Sequence, residues 1–278
     1  MNRDFLKDST RVVIKIGTNS IMKTTDEIDY HKLDRLSFVC SALQQQGKEV
    51  ILVTSGAVGV GACTLNMKEY PEKTSDLQAL ASVGQGALMN LYSRFFQHYD
   101  QYVGQILMTR DIIDFPISYT NCKSAINSLL ERKIIPVINE NDAISVDEKT
   151  YNRRFGENDT LAAIVTELVD ADLLIILSDV DGLYDENPHT NEFAKLIPAV
   201  GQVDTDILSM ANGTGSLFST GGMETKLKAA KYLIENNKSM IITSAENPAL
   251  IFNILEGEEI GTLFKKNILE AALQGEEI

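Results

Sequence analysis

Arg11-Val12-Val13-Ile14-Lys15-Ile16-Gly17-Thr18 is the stretch on which the fold reading turns. Its apolar residues follow one another instead of alternating, the pattern of a parallel strand covered on both faces, and the run stops at a glycine. Runs of the same kind recur at 49–53, 103–108, 134–138, 173–177 and 240–243. Between them lie segments of helical period, predicted at 29–46, 118–132, 159–169, 223–235 and 248–255. A further helix is marked by Leu77, Leu80, Ala81, Gly84, Leu88, Leu91 and Phe95, which recur at three- and four-residue intervals. At its start Ser75-Asp76-Leu77-Gln78 fits a capping box, with Ser75 and Gln78 satisfying orphan N–H groups. Strand and helix in alternation predict an α/β fold with a mainly parallel central sheet flanked by helices.

Two stretches depart from the alternation. Residues 143–155, with a charged Asp147-Glu148-Lys149 turn and Arg153-Arg154, read as a β-hairpin excursion. Residues 211–222, holding Gly213, Gly215, Gly221 and Gly222, read as a mobile loop. No repeat, low-complexity tract or Pro/Ser-rich linker interrupts the chain, so 1–278 reads as one continuous domain.

Composition narrows the function. The 278 residues are 44% hydrophobic and 23% charged, which excludes disorder as the main state and allows a large core without disulfides or a structural metal. Lys and Arg total 25 against 39 Asp and Glu, a formal net charge of −14. Such a chain repels a phosphate backbone at long range, so nucleic acid is not an expected partner. A small anion remains possible wherever a few lysines converge. Cys40, Cys63 and Cys122 form no CxxC pair, and His31, His98 and His189 show no ligand spacing. The polar start Met1-Asn2-Arg3-Asp4 leads into no signal-peptide stretch, and no run reaches the ~18–20 apolar residues of a membrane span. A cytoplasmic protein with no membrane association is expected.

In open α/β sheets ligands bind beyond the carboxyl ends of the strands. Polar and glycine-rich segments fall at those ends here: Lys15-Ile16-Gly17-Thr18, Thr54-Ser55-Gly56-Ala57, Asn139-Glu140-Asn141-Asp142 and Ser178-Asp179-Val180-Asp181-Gly182. Glycine lets backbone N–H groups approach an anion, especially where a helix begins. Lys15 lies late in an apolar run, where a charge is costly unless paired. It is either an edge lysine reaching solvent along its alkyl stem or a cation placed for phosphate charge. Lys226 follows the Thr220-Gly221-Gly222 turn into a helix, where it opposes the helix dipole by about 0.3–1 kcal/mol. A bound phosphate reverses that sign. No GxxxxGK[ST], GxGxxG or protein-kinase catalytic loop is present, so the anion site is of another kind.

Val13-Ile14-Lys15-Ile16-Gly17-Thr18, Val53-Thr54-Ser55-Gly56-Ala57, Val137-Ile138-Asn139-Glu140-Asn141-Asp142, Gly156-Glu157-Asn158-Asp159 and Gly221-Gly222-Met223-Glu224-Thr225-Lys226 resemble the amino acid kinase family. Within it they resemble the branch that phosphorylates the side-chain carboxylate of glutamate. The likeness runs from Arg11 to about Phe264.

That resemblance implies an αβα sandwich, with 1–165 as a glutamate-binding lobe and 166–278 as a nucleotide-binding lobe. It implies phosphoryl transfer from ATP, accompanied by Mg, to the γ-carboxylate of L-glutamate, opening proline biosynthesis. Lys15 and Lys226 are assigned to the phosphates, Lys226 also to the charge developing in the transition state, and Asp159 to holding the two lysines. Ser55, Gly56, Ala57, Asp142 and Asn158 fall to glutamate. Gly17, Ser178, Asp179 and the run Thr220, Gly221, Gly222, Met223, Glu224, Thr225 and Lys226 fall to ATP. Ser178 stands where relatives often carry Thr, and keeps the hydroxyl. No protein-held metal is among these roles. Proline as a feedback inhibitor, a homo-oligomer (dimer or tetramer) and a glutamyl phosphate reductase receiving the product also follow from the resemblance. The chain stops at Ile278 without the appended PUA domain of many such kinases, so properties tied to that domain are not expected.

These roles agree with the chemistry. A carboxylate must approach a polyphosphate, so the main obstacle is anion repulsion, which cations and N–H groups relieve. The carboxylate is already ionised near pH 7, so no general base is required. Two alternatives stay open: an acetylglutamate or carbamate kinase, and a non-catalytic amino-acid sensor. Intact Lys15, Asp159 and Lys226 speak against the sensor.

Overall fold

The computed structural model describes residues 2–25, 27–109, 111–145, 158–188, 190–210 and 222–268. The strands are β1 (Arg11–Ile16), β2 (Met22–Thr24), β3 (Glu27–Ile28), β4 (Glu49–Val53), β5 (Val103–Met108), β6 (Ile135–Glu140), β7 (Leu173–Ser178), β8 (Ala199–Val200), β9 (Ser239–Ser244) and β10 (Thr262–Phe264). The chain divides into two compact units, Ile16–Asn158 and a second made of Met1–Lys15 with Asp159–Ile278. The division falls at Asp159, not near residue 165, and the first fifteen residues go with the C-terminal segment. β1 lies beside β7, and Asp172 donates its N–H to the Arg11 carbonyl at 2.9 Å.

In the Ile16–Asn158 unit the strands run β5-β6-β4, all parallel, with Val103 opposite Ile135 and Leu52 opposite Val137. Every residue of β6 is buried, as its unbroken apolar start requires. β6 continues through Asn139 and Glu140, two residues past the predicted end, so the polar cluster read as a strand-end loop begins inside the ladder. The helix Tyr30–Gln45 starts where Asp29 accepts the Lys32 N–H at 3.0 Å.

The helix Thr74–Gln97 does not use the predicted capping box. Its N-cap is Lys73, which leaves Ser75 inside the first turn with its hydroxyl on Asp76. Gln78 instead donates to the Ser145 carbonyl at 3.0 Å. This helix packs on Ala57–Thr64, a short helix with no sequence expectation, through glycines. A Cβ on Gly84 would lie 1.8 Å from the Ala57 carbonyl oxygen, and one on Gly61 2.1 Å from that of Leu80. Two turns of backbone meet there with no room for a methyl group. Gly84→Ala is therefore expected to lower stability by about 2–3 kcal/mol through overpacking. Gly86→Ala in the same helix, where a Cβ meets nothing within 4 Å, should raise it by about 0.5–1 kcal/mol. Urea unfolding of the two variants checks the contrast; equal shifts would contradict the close approach at Gly84.

In the other unit the order is β1-β7-β9-β10-β8. β7 and β9 are parallel over their whole length, from Leu173 opposite Ser239 to Ser178 opposite Ser244. β10 runs antiparallel to β9 and parallel to β8, so the sheet is mostly but not wholly parallel. Helices Asn158–Leu168, Thr205–Met210, Met223–Glu235 and Leu250–Leu255 accompany these strands. Arg3 is almost fully buried, with its guanidinium on the carbonyls of Ile260 and Pro198 at 2.7 Å and Gly261 at 3.1 Å. One side chain thus satisfies the backbone at which β10 begins.

The predicted hairpin lies outside the described residues from 146 onward, and its first two residues, Ala143 and Ile144, belong to a turn that begins at Asp142. The predicted 211–222 loop lies outside them up to 221. Cys40 and Cys122 are buried and Cys63 half-buried, none of the three in a disulfide, and burial pushes the Cys40 thiol up to about 12, which makes it unreactive. Among the described residues no helix is long and apolar enough to cross a membrane.

Candidate functional site

Lys15, Asp159 and Lys226 converge within the unit that contains all three. Lys15 is the last-but-one residue of β1 and only 7% exposed. Its Nζ lies 2.6 Å from Asp159 Oδ1. The solvent-reaching alternative for Lys15 is thereby excluded. Asp159 opens the helix Asn158–Leu168, where a carboxylate suits the helix dipole, and it is 1% exposed. Lys226, 6% exposed, comes from the first turn of Met223–Glu235 and reaches Asp159 Oδ2 at 3.3 Å.

Burial alone would raise the Asp159 carboxyl pKa, but the charges of Lys15 and Lys226, with the hydrogen bonds from Lys15 and Thr225, outweigh it. The result is a pKa lowered to about 2. Thr225 Oγ1 lies 3.0 Å from Asp159 Oδ2 and 2.9 Å from the Gly222 carbonyl oxygen, its one proton shared between these two acceptors. Thr225 was expected only as a nucleotide contact, and here it also positions the carboxylate. Two ammoniums and one carboxylate leave one positive charge in excess, an arrangement suited to anionic oxygens.

The remaining residues expected at the nucleotide divide into several cases. Ser178 ends β7 and donates its hydroxyl to the exposed Asp179 at 3.0 Å. Gly222 caps the helix Met223–Glu235 and Met223 is buried in its first turn. Glu224 faces outward and pairs with Lys228 at 2.8 Å, each about 60% exposed. Thr220 and Gly221 lie outside the described residues. Gly17, in the other unit, caps the single turn Thr18–Ile21.

In the Ile16–Asn158 unit a chain of amides links several expected substrate residues. Asn158 Nδ2 lies 2.6 Å from Ser55 Oγ, 2.8 Å from the Thr54 carbonyl and 2.9 Å from Asn139 Oδ1. Asn139 Nδ2 donates in turn to Gln85 Oε1 at 2.8 Å. Gly56 holds φ at +96°, and a Cβ there would strike Ile21 Cδ1 at 2.3 Å, so the turn after Ser55 needs glycine. Ala57 and Asp142 come together on a cavity of about 240 Å³, walled also by Gln85, Gly86, Glu140 and Asn141. The Ser55–Asn158 pair and the Asp142–Ala57 cavity are thus separate features joined through Asn139 and Gln85. Neither of these linking residues was among the expected site residues. Asn139 sits in the quoted motif; Gln85 offers only a polar residue four positions after Ala81 on an otherwise apolar helix face.

Among the described residues no group of three His, Cys, Asp or Glu side chains could hold a metal ion. Both oxygens of Asp159 face lysines.

Comparison with known proteins bears on the family. The sequence profile of the amino acid kinase family matches residues 10–244. The chain is 50% identical over 262 residues to the glutamate 5-kinase of Listeria monocytogenes serotype 4a (strain HCC23), covering 94% of this chain and 95% of that one. It is 49% identical over 264 residues to the glutamate 5-kinase of Lactococcus lactis subsp. cremoris (strain SK11), covering 95% and 98%. Among solved structures, UMP kinase from Bacillus anthracis superimposes with a TM-score of 0.63 at 15% identity, over 93% of this chain and 97% of that one. Isopentenyl phosphate kinase from T. acidophilum gives 0.62 at 14% identity, over 91% and 99%. These last two bear on the fold alone. With a family profile spanning most of its length and relatives at half identity, the chain belongs to the amino acid kinase family.

Proposed function

We propose that this chain transfers the γ-phosphoryl group of ATP to the γ-carboxylate of L-glutamate, giving L-glutamyl 5-phosphate and ADP at the first step of proline biosynthesis. The observation that carries the reading is the buried Lys15–Asp159–Lys226 cluster, in a chain half identical to glutamate 5-kinases.

A carboxylate oxygen of glutamate attacks the γ-phosphorus in line, its bond to the β-bridging oxygen breaks, and ADP leaves with that electron pair. Charge spreads over the phosphoryl oxygens and the bridging oxygen. Lys15 and Lys226 meet that charge, and Asp159 holds both ammoniums in place so that little reorganisation occurs during transfer. Thr225 holds Asp159. Ser55, Gly56, Ala57, Asp142 and Asn158 receive glutamate, with Asp142 accepting from its α-ammonium. Gly17, Ser178, Asp179 and residues 220–226 receive the nucleotide. Magnesium enters as part of the MgATP substrate and neutralises polyphosphate charge; with Asp159 committed to lysines, the phosphates themselves are its natural ligands.

The remaining features of the reading rest on the family resemblance: a cytoplasmic homo-oligomer, inhibition by proline, and a reductase that consumes the labile acyl phosphate. The test is ADP formation from MgATP with L-glutamate, N-acetyl-L-glutamate or carbamate as acceptor. Glutamate is expected to support turnover at least a hundredfold better than either alternative. Preference for another acceptor would overturn the substrate, and ATP binding without turnover would favour the sensor.

A further inference from the structure

We propose that Gln85 is a specificity-determining residue whose side-chain N–H groups bind the α-carboxylate of the amino-acid substrate. This rests on the glutamate reading above and goes beyond it by assigning an uncharged donor to the non-reacting end of the substrate.

The orientation of the amides follows from one group that cannot turn over. The backbone N–H of Glu140 donates to Asn139 Oδ1 at 2.9 Å, which fixes that atom as the oxygen. Asn158 Nδ2 donates to the same oxygen at 2.9 Å. Asn139 Nδ2 must then point at Gln85, and the Gln85 atom it meets at 2.8 Å must be Oε1, because two donors would repel. Gln85 Nε2 is left with its two donors unmatched. Gln85 is 8% exposed, it lines the 240 Å³ cavity, and among the described residues its buried Nε2 has no acceptor. A buried amide donor without an acceptor costs stability, so its retention on a cavity wall points to a ligand acceptor.

The same cavity carries Asp142 and Glu140, which suit an ammonium and repel a carboxylate. An α-amino acid presents both groups on one carbon. An uncharged double donor beside two acids matches that pair, accepting the carboxylate without adding a cation that would compete for the acids. The γ-carboxylate, the reacting end, stays free to meet phosphate. A site built on a polar contact of this kind rejects analogues that leave its groups unpaired.

The test compares L-glutamate with its α-amide, in which the α-carboxylate becomes a neutral group that both donates and accepts. In Gln85→Glu a carboxylate replaces the donors. The ratio of kcat/KM for glutamate over the α-amide is expected to fall at least a hundredfold, with KM for glutamate rising more than kcat falls and KM for MgATP within twofold. Gln85→Met, close in shape and uncharged, guards against misfolding of the acidic variant and should lower the same ratio at least tenfold. Equal losses toward both substrates in the folded Met variant would make Gln85 structural and overturn the proposal. Absence of glutamate turnover in the wild-type enzyme would instead overturn the reading beneath it, and the two failures separate because the second appears before any substitution.

Discussion

Asp159→Asn is expected to lower stability by about 3–5 kcal/mol and kcat by on the order of 10²–10³-fold. The carboxylate is 1% exposed and sits between two ammoniums that are themselves less than a tenth exposed. Its amide isostere fills the same volume but leaves two buried cations facing one another. Breaking a buried ionic group by removing one member is costly because the remaining charges are already out of water. The same logic gives a pH dependence. The folded carboxyl has a pKa of about 2 against an ordinary 3.8, so folding favours the ionised form. Its contribution is complete above about pH 4 and is lost as pH falls through the native value near 2. The lost amount is roughly 2–3 kcal/mol. Urea unfolding from pH 6 to pH 2 should show this loss in the wild type and a flatter profile in Asp159→Asn. Parallel profiles would remove Asp159 from the linkage.

Lys226→Met should separate catalysis from folding. It removes one of the two cations and leaves Lys15 paired with Asp159 at 2.6 Å, with Thr225 still donating to the carboxylate. An ion pair plus an apolar side chain is no harder to bury than two cations sharing one anion, so stability should stay within about 1 kcal/mol. Catalysis has no such compensation. A preorganised cation aimed at charge that develops in transfer contributes on the order of 10²–10³ in kcat when removed singly. Its contact strengthens in the transition state, so kcat falls while KM for glutamate stays within a few fold. Steady-state kinetics beside a thermal melt decides it. A variant keeping more than a tenth of wild-type kcat would remove Lys226 from the transition state.

Much of the architecture can be read from composition along the chain. β1 and β4 begin and end where predicted, because a buried parallel strand is largely apolar and is bounded by polar or glycine residues. β5 also keeps its predicted bounds, although it lies at the sheet edge with only Met108 buried. Met223–Glu235 is likewise as expected, its start marked by glycine. β8 and β10 are two and three residues long and too short to carry a period. The capping box failed because the pattern says nothing about a competing acceptor, here the distant Ser145 carbonyl.

The candidate site shows the same limit. Lys15 stands out as a charge inside an apolar run, yet nothing local says that Asp159 and Lys226 come to meet it; the family resemblance supplied that grouping. Asn158 could be read as a helix cap, and its actual partners, Ser55, Thr54 and Asn139, lie on other elements. Gln85 was hidden for a related reason. Periodicity weighs the apolar residues of a helix face, whereas the meaning of a polar residue on that face depends on what a separate strand places opposite it.

The most direct measurement is to run the reaction with MgATP and L-glutamate in the presence of hydroxylamine, quantifying ADP and hydroxamate together. The account predicts γ-glutamyl hydroxamate in a one-to-one ratio with glutamate-dependent ADP. ADP released without hydroxamate, or hydroxamate formed at the α-carboxyl instead, would contradict phosphorylation of the γ-carboxylate.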